Sequence, residues 1–236
     1  MKLVGILHKL ENKTKLAVVI SHGFTAKKER PRLIKLAEEL SKSGIAALRF
    51  DFGGCGESQD KEITVQEQVD DLKSAINYLR KQGHINIGLL GESLGALTSI
   101  LAYDDKIKAI VLWAPVTKAK SLSIIQDAEL GQKLNREGFI IYKKEGKDFK
   151  IPKEYLIERQ LVNQQEILSK IKCPILIFHG TKDDTIPLKD SQEAMQFLSK
   201  DSKLEIIEDV GHKLEEKMDM IIFTSVKWFK KYLMSA

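Results

Sequence analysis

Apolar residues in this chain fall into short runs separated by longer stretches of mixed polarity. Residues 2–7, 16–21, 45–50, 85–90, 107–113, 174–178 and 203–208 read as strands, most of them continuously apolar. Between them, residues 31–43 carry Leu33, Ile34, Leu36, Ala37 and Leu40 at helical spacing. Pro31 stands in the first turn of that segment, where a missing N–H is tolerated, and Gly44 ends it. Residues 64–81 predict a longer amphipathic helix, with Val65, Val69, Leu72, Ala75, Ile76 and Leu79 on one stripe. Further helices are expected at 96–103, near 188–199 and near 216–233. Short apolar strands alternating with helices, without a run of neighbouring hairpins, predict an α/β fold with a mostly parallel central sheet flanked by helices on both faces. From Thr117 to about Ile171 the rhythm loosens into mixed charges and poorly bounded helical pieces. Residues 1–116 and 171–236 are therefore expected to form the core, and 117–170 a small lid inserted after the strand ending near Trp113.

Composition narrows the class. At 236 residues, 43% apolar and 30% charged, the chain has the makeup of a globular protein with a full core. The formal charge is +5, but 38 basic residues are spread among 33 acidic ones. Lysines at 13, 15, 27, 28, 143, 144, 147 and 150 cluster only loosely and without interleaved aromatics, so they read as solvated faces and not as a nucleic-acid surface. No apolar run approaches the ~20 residues that span a bilayer, and the first nine residues are too interrupted for a signal peptide. Two cysteines, Cys55 and Cys173, are not a disulfide framework, and a reduced cytoplasmic setting is expected.

In parallel sheets ligands gather outside the carboxyl ends of the strands, which makes the residues just after each strand the ones to weigh. The apolar run at 85–90 leads directly into Gly91-Glu92-Ser93-Leu94-Gly95 and then a helix-compatible segment. A strand, G-x-S-x-G and a helix place a serine on a sharp turn, which needs small neighbours two residues to either side. The turn would raise the Ser93 hydroxyl above the sheet and put the Leu94 N–H at a helix N-terminus, facing incoming negative charge. After the strand at 16–21 stands His22-Gly23-Phe24-Thr25. Gly23 lets this loop bend towards Ser93, so the Phe24 N–H is the second candidate donor to an oxyanion, and His22 is expected to be structural.

After the strand at 174–178 comes His179-Gly180-Thr181-Lys182-Asp183-Asp184. An acid here could orient a histidine and stabilise its cation. Asp183, three residues beyond Gly180, is favoured for that place, with Asp184 as the alternative. After the strand at 203–208, Gly211-His212 offers a general base on a loop able to reach the serine. Asp51 is expected to hydrogen-bond its own glycine loop, and Cys55 to pack within it. The chain has no Cys/His cluster with metal spacing, no G-x-x-x-x-G-K-[ST] and no G-x-G-x-x-G opening a helix, so no cofactor is expected.

Serine, then aspartate, then histidine, each after a successive strand, is the order of an α/β-hydrolase. The chain resembles α/β-hydrolase-fold serine esterases over nearly its whole length. Within that superfamily His22-Gly23-Phe24-Thr25, the loop from Asp51 to Ser58 and the insert after Trp113-Ala114-Pro115 resemble small bacterial cinnamoyl/feruloyl esterases. The resemblance implies Ser93 as nucleophile, Asp183 as acid, His212 as base, and Phe24 and Leu94 as oxyanion donors. It implies a small-molecule ester substrate gripped partly by lid aromatics, for which Tyr142 and Tyr155 are candidates. A thioesterase, a monoacylglycerol-type lipase or a small peptidase would keep the same chemistry with another acyl group; a non-catalytic module would keep only the fold.

Overall fold

The computed structural model describes residues 3–10, 13–58, 62–119 and 128–234. Its strands are β1 (Gly5–His8), β2 (Leu16–Ser21), β3 (Ala46–Phe50), β4 (Asn86–Glu92), β5 (Ile107–Trp113), β6 (Phe139–Lys144), β7 (Lys147–Pro152), β8 (Ile175–Gly180) and β9 (Lys203–Ile207). Seven of them form one sheet in the order β1-β3-β2-β4-β5-β8-β9. Only the edge strand β1 runs antiparallel to its neighbour. The first strand lies slightly later than expected, and Lys2 of the expected 2–7 falls outside the described residues.

The continuous apolar runs are explained by burial on both faces. In β2, Ala17 and Val19 join one hydrophobic cluster while Val18 and Ile20 join the other. The first cluster is closed by α2 (Val65–Lys81), through Val69, Leu72 and Ile76, and by α3 (Leu94–Leu101), through Leu97 and Ile100. The second is closed by α1 (Pro31–Lys42) and by the C-terminal helix, Met218–Met234, through Ile222, Phe229 and Leu233. Leu33, Leu36 and Leu40 on α1 are fully buried, each worth about 1.5–3 kcal/mol relative to exposure. Thr64 starts α2 by accepting the Glu67 N–H at 3.0 Å.

The insertion between β5 and β8 differs most from expectation. Its described part holds α4 (Ala128–Glu137), the β6–β7 hairpin, α5 (Lys153–Gln160) and α6 (Gln164–Leu168); residues 120–127 of the expected lid lie outside the described residues. The hairpin closes through Glu145 and Gly146 at φ of 50° and 73°, the two left-handed positions of a type I′ turn. Phe139 to Lys144 pair in antiparallel register with Pro152 to Lys147. Two shorter departures concern helix ends. The helix expected at 188–199 is α7 (Leu188–Ala194) followed by a tight 3₁₀ turn, and a 3₁₀ turn at Glu215–Lys217 precedes the last helix, α8 (Met218–Met234).

The sheet order positions the site. The chain leaves β2 towards β3 on one side and returns to β4 on the other, so the connections after β2 and β4 diverge and leave a crevice. Ser21 pairs with Gly91 at the ends of these strands, which brings residues 22–24 level with residues 92–94.

Candidate active site

Ser93 sits on the turn between β4 and α3 with φ 53° and ψ −113°, a conformation that costs a non-glycine residue about 1–3 kcal/mol. Surrounding bonds hold it there. The Ser93 N–H donates to the Trp113 carbonyl at 2.9 Å, and the Ser93 carbonyl accepts from Ala96 and Val116, both at 3.1 Å. The flanking glycines are required by space. A Cβ on Gly91 would lie 2.4 Å from the Gly95 carbonyl oxygen, and one on Gly95 would lie 2.5 Å from the Ser21 and His22 carbonyl oxygens. Both obstacles are backbone and cannot rotate away. Gly95→Ala is accordingly expected to destabilise the protein by about 1–3 kcal/mol, as overpacking does; a urea midpoint equal to wild type would contradict this.

The Ser93 hydroxyl meets His212 Nε2 at 3.0 Å, and His212 Nδ1 meets Asp183 Oδ2 at 2.8 Å. An ionised carboxylate only accepts, so Nδ1 carries the proton and Nε2 is left to accept from Ser93. Two loops make this meeting possible. Lys182 N–H donates to the Val210 carbonyl at 3.0 Å, Thr181 N–H to Ile207 at 3.0 Å, and Asp209 N–H to the Thr181 hydroxyl at 2.9 Å. These tie the loop after β8 to the loop after β9, and Gly180 permits the crossing, since a Cβ there would fall 2.1 Å from the Val210 carbonyl oxygen.

Asp183, not Asp184, faces His212. Burial opposes its ionisation, yet hydrogen bonds from His179, His212 and the Ile186 N–H outweigh burial and hold its carboxyl well below the usual carboxylate range. Oδ1 accepts from the Thr185 and Ile186 N–H groups at 2.9 and 2.8 Å. The His179 Nε2–H is shared between the Ile186 carbonyl at 3.0 Å and Asp183 Oδ2 at 3.2 Å, while its Nδ1 accepts from the Ser191 hydroxyl at 2.7 Å. Asp184 is exposed and bonds to its neighbour Thr185 at 3.1 Å. Sequence reasoning missed His179 as a partner of Asp183. Its signal was the i, i+4 spacing from Asp183 across the turn.

The loop after β2 runs against the serine: a Cβ on Gly23 would lie 3.3 Å from that of Ser93. His22 is fully enclosed, and burial keeps its ring neutral. Its Nε2 accepts from the Phe52 N–H at 3.1 Å, which leaves Nδ1–H to donate to the Gly23 carbonyl at 2.8 Å. The Gly23 carbonyl and the Phe24 N–H belong to one planar peptide, so fixing the carbonyl fixes the opposite direction of that N–H. The Phe24 ring stacks on Tyr155 at 5.1 Å and tilts against Tyr142 at 5.5 Å. Tyr155 is 2% exposed, while Tyr142 is half-buried.

Three other residues from the sequence find places. Glu92 is clamped by the Arg32 guanidinium of α1, with Nε to Oε2 at 3.1 Å and Nη2 on Oε1, which anchors the elbow to that helix. Asp51 accepts from the Glu57 N–H of its own glycine loop at 3.0 Å and from the buried Lys28 ammonium at 2.8 Å. Burial pushes the Cys55 thiol up to about 12, so it is not a thiolate at neutral pH. Among the described residues, no three of His, Cys, Asp and Glu are grouped to hold a metal, and no helix is long and apolar enough to cross a membrane.

Residues 12–145, which carry β2 to β5, the elbow and the hairpin strand β6, match the family model described as serine aminopeptidase, S33. The chain belongs to this family of α/β-hydrolases. Beyond the family match, this α/β-hydrolase is 26% identical over 231 residues to the mouse (Mus musculus) mitochondrial palmitoyl-protein thioesterase ABHD10, covering 90% of this chain and 73% of that one. Among solved structures, Est1E from Butyrivibrio proteoclasticus with ferulic acid bound aligns at a TM-score of 0.78 and 23% identity, over 97% of this chain and 96% of that one. A monoacylglycerol lipase from Paleococcus ferrophilus aligns at 0.77 and 22%, over 97% and 98%. Both structural likenesses are of fold.

Proposed function

We propose that this α/β-hydrolase is a serine carboxylic-ester hydrolase working through an acyl-enzyme, on hydroxycinnamate or other small acyl esters. The observation that carries the reading is the continuous hydrogen-bonded line from Ser93 through His212 to Asp183, at 3.0 and 2.8 Å. In this reading Ser93 Oγ attacks the acyl carbon while His212 Nε2 takes its proton, and Asp183 stabilises the imidazolium and holds its tautomer. The carbonyl oxygen, now an oxyanion, accepts from the Phe24 and Leu94 N–H groups. The imidazolium then protonates the departing alcohol. A water deprotonated by the same histidine releases the acid and restores Ser93. No cofactor enters any step. Tyr142, with Tyr155 behind Phe24, borders the oxyanion loop and would form part of the wall met by the substrate.

A thioester substrate is the second reading, favoured by the palmitoyl-protein thioesterases among the relatives. The leaving group changes and the residues do not, so a panel of p-nitrophenyl, hydroxycinnamate methyl and acyl-thioester substrates ranks the two. The test of the shared chemistry is a fluorophosphonate probe on the folded protein, followed by peptide mapping. A single adduct on Ser93 is expected. Absence of labelling would favour a non-catalytic module that kept the fold.

A further inference from the structure

The insertion hairpin reaches the same loop that would hold the oxyanion. Lys144, the last residue of β6, directs its ammonium to the Phe24 carbonyl at 3.0 Å and to the Thr25 hydroxyl at 3.2 Å. The Thr25 hydroxyl in turn donates to the Phe24 carbonyl at 2.7 Å. Thr25 needs such support. It is β-branched, buried and at φ 51°, where a branched Cβ crowds the following carbonyl. A conformation of that kind persists only where its surroundings over-determine it. His22 holds the Gly23–Phe24 peptide on one side of the Phe24 Cα, and Lys144 holds the Phe24–Thr25 peptide on the other.

The hairpin is itself anchored beside this contact. Glu145 in its turn pairs with the Arg30 guanidinium just ahead of α1 at 2.7 Å, and Tyr142 packs on the Phe24 ring. Among the described residues no carboxylate lies within ion-pairing distance of Lys144, and its ammonium bonds to the loop instead. We propose that Lys144 is a positioning residue for the oxyanion hole, locking the Phe24–Thr25 turn so that the Phe24 N–H keeps its aim and coupling the seating of the hairpin to reactivity at Ser93. This inference rests on the esterase reading.

The ammonium form is the one that works, because its positive charge makes the donated bonds to both oxygens charge-assisted and markedly stronger than those of a neutral amine. Burial draws the Lys144 pKa below that of an ordinary lysine. The facing charges are Arg30 ahead of α1, which pushes the same way, and Glu145 on the hairpin and Glu92 at the elbow, which oppose it; the Cys55 thiol of the glycine loop also faces Lys144 but is uncharged in this range. The lock is therefore present at neutral pH and is lost as pH rises through a value below the ~10.4 of free lysine.

The experiment compares wild type, Lys144→Met and Lys144→Arg on a short p-nitrophenyl ester, with thermal midpoints measured alongside. Methionine keeps the length and removes the charge. For it kcat is expected to fall about 10- to 100-fold with KM little changed, less than the ~10²- to 10³-fold that outright loss of an oxyanion donor costs. Arginine is expected to restore much of kcat and to abolish the alkaline fall of kcat expected of wild type, because it stays charged. A folded Lys144→Met enzyme with wild-type kcat would overturn the inference. So would an alkaline limb that persists unshifted in Lys144→Arg, a result that holds even where the methionine variant does not fold. Failure of the underlying reading is separate: it shows as wild-type enzyme without Ser93-dependent turnover, whereas failure of this inference leaves wild type fully active.

Discussion

Ser93→Ala is expected to lower kcat on activated esters by a factor on the order of 10⁶, the scale seen when the nucleophile of a serine triad is removed. Alanine deletes the one oxygen that can bond to the acyl carbon. The Phe24 loop proposed to hold the oxyanion and the His212–Asp183 pair are left standing, so a residual rate above water should remain. The change leaves the fold intact, because alanine carries the same Cβ that serine already holds at φ 53° and makes the same backbone bonds to Trp113, Ala96 and Val116. Initial rates on a p-nitrophenyl ester, with thermal midpoints measured in parallel, check this. Turnover retained by a folded Ser93→Ala protein would remove the proposed mechanism altogether.

The second large effect separates two adjacent acids. Asp183→Asn is expected to cost about 10⁴-fold in kcat, because a neutral amide no longer fixes the His212 tautomer or stabilises the imidazolium. Asp184→Asn should stay within a few-fold of wild type, since Asp184 is exposed and its carboxylate accepts from the adjacent Thr185 hydroxyl, not from His212. Equal losses in both variants would undo the assignment. The same aspartate gives a pH signature in stability. Its folded-state pKa is depressed, so its ionisation stabilises the fold above the unfolded value near 4 and that contribution is lost as pH falls towards the folded value. The stability gap between wild type and Asp183→Asn should therefore be full at neutral pH and narrow on acidification, a trend that urea titrations at several pH values would read.

The strands of the main sheet were legible because burial on both faces leaves apolar runs no polar position to interrupt them. The stripes on α1 and α2 were legible for the matching reason, one buried face at helical period. The hairpin at 139–152 was not. Its strands alternate Ile140, Tyr142 and Lys144 with outward residues over only six positions, and its turn uses Glu145 at positive φ where asparagine or aspartate is the usual marker. Residues 117–170 therefore read as loose helical pieces.

At the site, each of Ser93, Asp183 and His212 could be picked out, since a polar residue just after a parallel strand stands out locally. What could not be read was which groups support them. His179 and His22 look alike in sequence, each a histidine before a glycine after a strand. One reaches Asp183 and the other holds the Gly23 carbonyl, and only the packed loops tell them apart. Glu92 had no assignable role in the sequence, because its partner Arg32 is 60 residues away on a different element.

By itself, then, the sequence determined the alternation of buried strands and amphipathic helices, the serine on its glycine-flanked turn and the chain order of Ser93, Asp183 and His212, each after a strand. Those are local properties, set by side-chain period, backbone permissiveness and the residues beside them. The tertiary structure alone decided that Asp183 and not Asp184 meets His212, and that an ammonium 120 residues away secures the Phe24 carbonyl. Choices of that kind turn on ångström-scale geometry between loops from different strands, and such geometry exists only once the sheet has brought the strand ends together.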